Sequence, residues 1–114
     1  MTYIYELVRA RKRYEVRCRV FKDEHSVELV ECRCVIERGQ LYVRYYGFGM
    51  ATAYRVETRK YCLSCPMIRS ILERMIKYNV KRLYGYGGKY PDYGKPLADE
   101  ERREIEAALA RSRG

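Results

Sequence analysis

Apolar and polar side chains alternate through most of the first 60 residues of this 114-residue chain. In YEVRCRVF, residues 14–21, every second residue is Tyr, Val or Cys, and the residues between them are mostly charged. The same alternation is present in four other stretches, which are residues 2–9, 26–37, 41–47 and 51–59. A period of two is typical of a strand with one buried face, so the sequence predicts five strands.

Short links join these stretches and limit how the strands can pair. The links ARKR, KDEHS, ERGQ and GFG favour antiparallel neighbours that are consecutive in the chain. Placing Ile36 opposite Leu41, and Val16 opposite Cys32, keeps the apolar side continuous. We therefore expect a five-stranded antiparallel meander over residues 1–60.

The spacing of the apolar residues changes after residue 60. From Ser64 onward they recur three or four residues apart, which is typical of an amphipathic helix. Ser64 suits the N-cap, Pro66 the first turn and Gly85 the end, so one long helix is predicted over residues 64–84. This helix should pack across the apolar face of the sheet.

Two further segments complete the predicted fold. Residues 85–96 are rich in Tyr and Gly and are expected to form a loop. Residues 98–112 begin with acidic and end with basic side chains, as the dipole of a C-terminal helix favours. The prediction is a single α+β domain over residues 1–114, in which the meander is packed by one long amphipathic helix and followed by a C-terminal helix.

The charge of the chain points to a class of partner. Lys and Arg total 24 against 15 Asp and Glu, a formal net charge of +9, which favours nucleic acid ahead of a membrane surface. No stretch approaches the roughly 20 apolar residues that cross a bilayer, and residues 1–16 lack the apolar core of a signal peptide. We expect a cytoplasmic protein with no membrane partner. Only Gln40 and Asn79 carry side-chain amides, which suggests a hyperthermophilic source.

Five cysteines allow three interpretations. Cys32 and Cys34, with Cys62 and Cys65, give C-x-C and C-x2-C pairs, which are candidate zinc ligands. We favour the simpler interpretation that Cys18, Cys32 and Cys34 are small buried side chains, because cysteines in mid-strand rarely form a zinc knuckle. A Cys62–Cys65 disulfide is the third interpretation, and no cofactor is predicted.

No arrangement of residues predicts catalysis, so we expect that the protein is not an enzyme. His25 is the only histidine, and nothing pairs it with a nucleophile. Glu15 and Glu31 are expected to form ion pairs across the strands with Arg33 and Arg17. The Gly-rich run at residues 85–88 follows a helix and not a strand, which excludes a dinucleotide site.

The outer face of the predicted sheet is the first candidate binding surface. Arg44 is expected to face Arg33, and Arg55 to face Tyr42, so the opposed arginines repel each other unless an anion lies across them. The alternative is a solvated face of ion pairs and tyrosine rings. The candidate residues on this face are Arg17, Arg19, Arg33, Tyr42, Arg44, Tyr46 and Arg55.

The Tyr/Gly loop is the second candidate surface. Its glycines allow the rings many orientations and its lysines add charge, so the loop can wrap a strand and stack bases. The alternative is an ordered connector with a turn at residues 92–94. The candidate residues here are Tyr86, Lys89, Tyr90 and Tyr93.

These features together predict a small basic protein that binds single-stranded DNA or RNA with weak sequence specificity. Arg and Lys would contact phosphates, and Tyr would stack on bases. The alternative function is a protein–protein interaction or assembly subunit, such as a homodimer, stabilised by zinc or by a disulfide.

Overall fold

The computed structural model describes residues 2–21, 27–49 and 55–113. Within these ranges the strands are β1 (Thr2–Arg9), β2 (Tyr14–Phe21), β3 (Leu29–Ile36), β4 (Leu41–Phe48), β5 (Glu57–Cys62), β6 (Arg82–Tyr84) and β7 (Tyr90–Pro91). The α-helices are α1 (Arg69–Tyr78) and α2 (Asp99–Arg113), and 3-10 turns span Pro66–Ile68 and Tyr86–Gly88. The α+β class and the C-terminal helix are confirmed.

A five-stranded antiparallel sheet is present, but its strand order is β5-β4-β1-β6-β7. The strands β2 and β3 form a separate two-stranded unit, here called the hairpin. The predicted meander is therefore wrong, because β1 pairs along its whole length with β4 and not with β2. Backbone hydrogen bonds from Ala10 to Gln40 and from Gly39 to Ala10 close the base of the hairpin and return the chain beside β1.

The predicted registers are also wrong. Val16 faces Cys34 and not Cys32, so β2 and β3 pair two residues away from the expected register. Leu41 faces β1 and not Ile36. Because the pairing of β2 with β3 is displaced by two residues, the same side chains still share a face, although their partners on the opposite strand differ.

The helix predicted over residues 64–84 is divided between two elements. α1 has ten residues and ends at Tyr78, because Asn79 adopts a left-handed conformation with φ 55° and ψ 46°. The chain then enters β6, where Leu83 is fully buried and faces Tyr5 of β1. The apolar residues after position 79 therefore belong to a strand and not to the last turns of a helix.

A 3-10 turn leads into α1. Pro66 opens this turn, as the sequence predicts, but Cys65 and not Ser64 occupies the N-cap position. The Ser64 hydroxyl lies 3.4 Å from the Sγ atom of Cys62. No side chain of the described residues caps the turn, so the fixed φ of proline is what favours a helical start at this point.

The two α-helices cover one face of the five-stranded sheet. Leu72 and Met75 of α1 and Ile105 of α2 are fully buried in the core. Arg102 joins the helices, because its Nη2 donates to the Ile76 carbonyl at 3.1 Å. The opposite side of the sheet is here called the open face, and strand pairing places on it Ile4, Glu6, Val8, Tyr42, Arg44, Tyr46, Thr58, Lys60, Cys62, Arg82, Tyr84 and Tyr90.

The hairpin packs over one end of the open face. Its Tyr14 ring lies 5.8 Å from the Tyr42 ring, centroid to centroid, and Cys34 forms a disulfide with Cys62 at the end of β5. Cys62 is therefore bonded to Cys34 and not to Cys65, which is buried in the core. The disulfide ties the hairpin to the sheet.

The segment 85–96 contains regular structure. After the 3-10 turn, β7 pairs with β6, and the Asp92 Oδ1 atom accepts a hydrogen bond of 3.0 Å from the Gly94 amide. Val80 and Pro96 form an isolated bridge at the end of the segment. This arrangement matches the ordered connector that the sequence also allows.

Candidate nucleic-acid interface

Strand pairing lines up four charged residues across the open face. Glu6 faces Arg82 on one side and Arg44 on the other, and Arg44 also faces Lys60. Directly opposed residues project from the same face of a sheet, so these side chains form one row. We call it the charged row (Arg82, Glu6, Arg44 and Lys60), and it extends over about 14 Å, three interstrand spacings.

The charged row contains three cations and a single carboxylate, Glu6. Arg44 Nη2 donates to Glu6 Oε1 at 2.9 Å, and Arg82 Nε lies 3.9 Å from Glu6 Oε2. Lys60 forms no ion pair with any described residue, and its Nζ lies 4.8 Å from the centroid of the Tyr14 ring. Three cations against one carboxylate leave the row with surplus positive charge.

Arg44 is held firmly within the row. Its Cζ lies 5.0 Å from the centroid of the Tyr46 ring, which is a cation–π contact. Its Nε is buried and has no acceptor among the described residues. The ion pair with Glu6 and the contact with Tyr46 hold the guanidinium on the open face.

A second row lies two residues along each strand, about 7 Å from the charged row. Tyr90 faces Tyr84, Tyr84 faces Ile4, and Ile4 faces Tyr46. We call it the tyrosine row (Tyr90, Tyr84, Ile4 and Tyr46). Tyr84 is 48% exposed and Tyr90 is 56% exposed, and their ring centroids are 5.7 Å apart. The rings are therefore accessible from solvent.

Gly85 keeps the end of the tyrosine row in place. Its φ of 89° belongs to the left-handed region that favours glycine. A Cβ at this position would lie 2.6 Å from Cδ2 of Tyr90. A larger residue at position 85 would therefore displace the Tyr90 ring from its position beside Tyr84.

The hairpin covers a third row of the open face, which consists of Val8, Tyr42 and Cys62. Tyr42 is only 4% exposed, and burial, followed by the charge of neighbouring Tyr14, raises the pKa of its hydroxyl. Tyr42 therefore belongs to the core and cannot stack on a ligand, in contrast to the accessible ring expected from the sequence.

The charged row opens into a depression of about 830 Å³ beside β1, here called the basic groove. Arg11, Lys81 and Lys95 line it together with one carboxylate from α2, Glu101. Arg9 also lines the groove, but it lies 3.3 and 3.5 Å from two other carboxylates of α2. The groove extends the positive charge beyond the strands.

The hairpin carries two of the predicted arginines away from the charged row. Arg17 and Arg33 face each other and share Glu31, which lies 3.1 Å from Arg33 Nη2 and 3.9 Å from Arg17 Nε. The expected ion pair between Glu31 and Arg17 is present, but it is diagonal. The expected pair of Glu15 with Arg33 is wrong, because Glu15 faces Val35.

Two pairs of residues that were predicted to face each other across neighbouring strands do not do so. Arg44 does not face Arg33, because these residues lie in different sheets. Arg55 does not face Tyr42, because it precedes β5 and lies exposed outside the strands. The side chains of Arg19, Cys32 and Tyr86, and the whole of His25, lie outside the described residues.

The Tyr/Gly segment divides between two sides of the molecule. Tyr90 joins the tyrosine row, whereas Tyr93 is 70% exposed and packs edge-on against Tyr78 of α1, with centroids 6.4 Å apart. Lys89 is exposed between the 3-10 turn and β7. Of the predicted residues, the structure brings together Arg44, Tyr46 and Tyr90.

The predicted site residues did not include five members of the two rows, which are Ile4, Glu6, Lys60, Arg82 and Tyr84. Arg82 and Tyr84 were assigned to the helix or the loop instead of a strand. Asn79 was the available signal, because asparagine is one of the few residues that end a helix in the left-handed conformation. Predicting that Glu6 lies beside Arg44 required knowing that β4 is the partner of β1.

The four-cysteine zinc site does not form. Zinc would need four ligands in a tetrahedron, and Cys34 and Cys62 are bonded to each other. Among the described residues, no three side chains of the ligand types His, Cys, Asp and Glu are grouped so as to hold a metal ion.

No family model, no curated protein and no solved structure matches this chain. In the part of the chain that is described, neither helix has the length and apolar character needed to cross a membrane. The functional argument therefore depends on the geometry of the open face.

Proposed function

We propose that the protein binds single-stranded DNA or RNA on the open face, with weak sequence specificity. The observation that carries the proposal is that two parallel rows of side chains, the charged row and the tyrosine row, lie side by side on the same accessible surface. Phosphates would lie along the charged row, and bases would stack on the rings of the tyrosine row.

The distance between the rows supports this arrangement. They are about 7 Å apart, two residues along a strand, which is comparable with the separation of a base from its own phosphate. A nucleotide can therefore span from a guanidinium to a phenol ring without leaving the sheet. The surplus charge of the row and of the basic groove supplies the attraction for the polyanion.

A single strand fits this surface better than a duplex. Tyr84 and Tyr90 offer ring faces, and only unpaired bases offer faces in return. Every base has such a face, so stacking tolerates most sequences. Discrimination would require directed hydrogen bonds to base edges, and the tyrosine row supplies mainly ring surface.

The decisive experiment compares rings on the two sides of the molecule. Tyr46→Ala and Tyr90→Ala should each lose about 1–3 kcal/mol of binding free energy for a single-stranded oligonucleotide, because each removes a stacking partner. Fluorescence anisotropy with a labelled oligothymidylate measures this, and circular dichroism establishes that each variant is folded.

Tyr93→Ala is the matched control, because it removes the same exposed side chain from the same segment but on the α1 side. It should bind as the wild type does. Equal weakening by Tyr90→Ala and Tyr93→Ala would contradict the proposed face, and so would normal binding by both Tyr46→Ala and Tyr90→Ala.

A second candidate function is assembly with another copy of the chain. Exposed apolar side chains on or beside the hairpin favour it, namely Val27, Leu29 and Val35. Light scattering of nuclease-treated protein distinguishes the two functions, since a stable dimer that binds no oligonucleotide supports assembly alone.

A further inference from the structure

A cleft of about 490 Å³ lies between β2 of the hairpin and β5 at the edge of the sheet. Tyr14 and Arg17 line it from the hairpin, Thr58 and Lys60 from β5, and Met67 from the 3-10 turn. Its size is within the range of sites that enclose small ligands. The side chains that line the cleft thus include two tyrosine rings, three cations, one carboxylate, a hydroxyl group and apolar groups.

The cleft is continuous with the open face. Lys60 is a member of the charged row and also lines the cleft. Tyr14 lines both the cleft and the basic groove, and its ring lies 4.8 Å from Lys60 Nζ and 5.7 Å from Lys12 Nζ. Positive charge therefore follows the base of the hairpin from one depression to the other.

The charges within the cleft differ in how well they are neutralised. Arg59 pairs with Glu57, and Glu15 lies 3.4 Å from Arg13. The Arg17 side chain is 69% exposed. Its partner Glu31 lies 3.9 Å from Arg17 but only 3.1 Å from Arg33. Arg17 and Lys60 are therefore the cations that a phosphate in the cleft would meet.

We infer that a bound strand leaves the open face past Lys60 and enters this cleft, where Arg17 contacts a phosphate. The hairpin is then the second wall of the binding site, and the Cys34–Cys62 disulfide and the Tyr14–Tyr42 contact hold it beside β5. This inference rests on the proposed function. It makes the nucleic-acid binding site longer than the charged row alone.

Arg33 provides a closely matched control for Arg17. The two residues face each other across the hairpin, they share the same carboxylate, and their side chains are 65% and 69% exposed. Only Arg17 lines the cleft. Their alanine variants therefore remove the same charge from almost the same place, and differ in whether the cleft loses a cation.

The test uses labelled oligothymidylates of about 4 and about 12 nucleotides, a range that spans known single-strand sites. Arg17→Ala should bind the longer oligomer severalfold more weakly and leave the shorter one unchanged. The slope of log affinity against log salt for the longer oligomer should decrease in magnitude by about 0.7, the counterion release of one phosphate. Arg33→Ala should change neither affinity.

The following results would overturn the inference. One is equal weakening of the longer oligomer by Arg17→Ala and Arg33→Ala, and another is equal weakening of both oligomers by Arg17→Ala. The third is a wild-type protein that binds both lengths with the same affinity, which leaves the open-face proposal standing. A wild-type protein that binds neither oligomer overturns the proposed function as well.

Discussion

At the scale of single residues, Glu6 has two opposed effects on the open face. Its carboxylate holds Arg44 at 2.9 Å and lies 3.9 Å from Arg82, so it stabilises the charged row in the unbound protein. The same carboxylate repels any phosphate that approaches these arginines. Stability and binding therefore place different demands on this position.

Glu6→Gln separates the two effects, because it removes the charge and keeps the shape. The free energy of unfolding should fall by about 1–2 kcal/mol with the loss of charge-assisted hydrogen bonds. The affinity for single-stranded oligonucleotides should rise roughly threefold, the effect of one unit charge about 6 Å from a phosphate in water. Urea denaturation and anisotropy measure the two quantities, and weaker binding by the variant would argue against the charged row.

Residue-level patterns in the sequence predicted part of this surface. The alternation in LYVRYYGF places Tyr42, Arg44 and Tyr46 on the same face, and the structure agrees. The alternation does not reveal what covers each residue. The base of the hairpin lies over Tyr42 and leaves Arg44 and Tyr46 partly exposed, and this depends on contacts between residues far apart in the chain.

At the scale of elements, the hairpin depends on its disulfide. A two-stranded hairpin is marginally stable alone, and this one is joined to the sheet through Cys34 and Cys62, 28 residues apart. A crosslink that closes a loop of this length stabilises the folded state by about 3–4 kcal/mol through the entropy of the unfolded chain. The hairpin, and the cleft beside it, should therefore depend on the redox state of this bond.

Cys34→Ser tests this dependence. The variant should unfold at lower urea concentration than the wild type, with a loss of about 3–4 kcal/mol, and wild type in reductant should show a similar loss. Reductant should have no further effect on the variant, which serves as the control. A variant as stable as the oxidised wild type would mean that the disulfide contributes little to the folded state.

Strand pairing was the largest feature that sequence reasoning did not predict. Short links favour consecutive neighbours, and that rule holds for β2 and β3. It fails for β1, because the hairpin leaves the sheet and returns at Ala10 and Gly39, so β4 takes the place beside β1. Local rules describe each link separately, whereas this choice depends on burying Leu7 and Val43 together.

The end of α1 shows a similar ambiguity. Val80 and Leu83 continue the helical spacing of the preceding residues, so periodicity alone extends the helix. In the structure both are fully buried, Leu83 as a strand residue and Val80 in a bridge with Pro96. The reversal at Asn79 ends the helix before these two residues, so their helical spacing does not reflect a helix.

At the scale of the whole molecule, the net charge of +9 is unevenly neutralised. Near α2, Arg9 contacts two carboxylates, and within α2 Arg102 pairs with Glu106. The open face and the basic groove have fewer carboxylates than cations. A polyanion would therefore find surplus positive charge at the open face, next to the exposed rings.

The salt dependence of binding tests this central claim most directly. A labelled oligothymidylate of about 12 nucleotides is titrated with wild-type protein at about 50 and about 200 mM salt. Three cations of the charged row, each releasing about 0.7 counterions, predict a slope of log affinity against log salt of about −2 or steeper. No binding at the lower salt concentration, or an affinity that does not change with salt, would contradict the claim that this face binds nucleic acid.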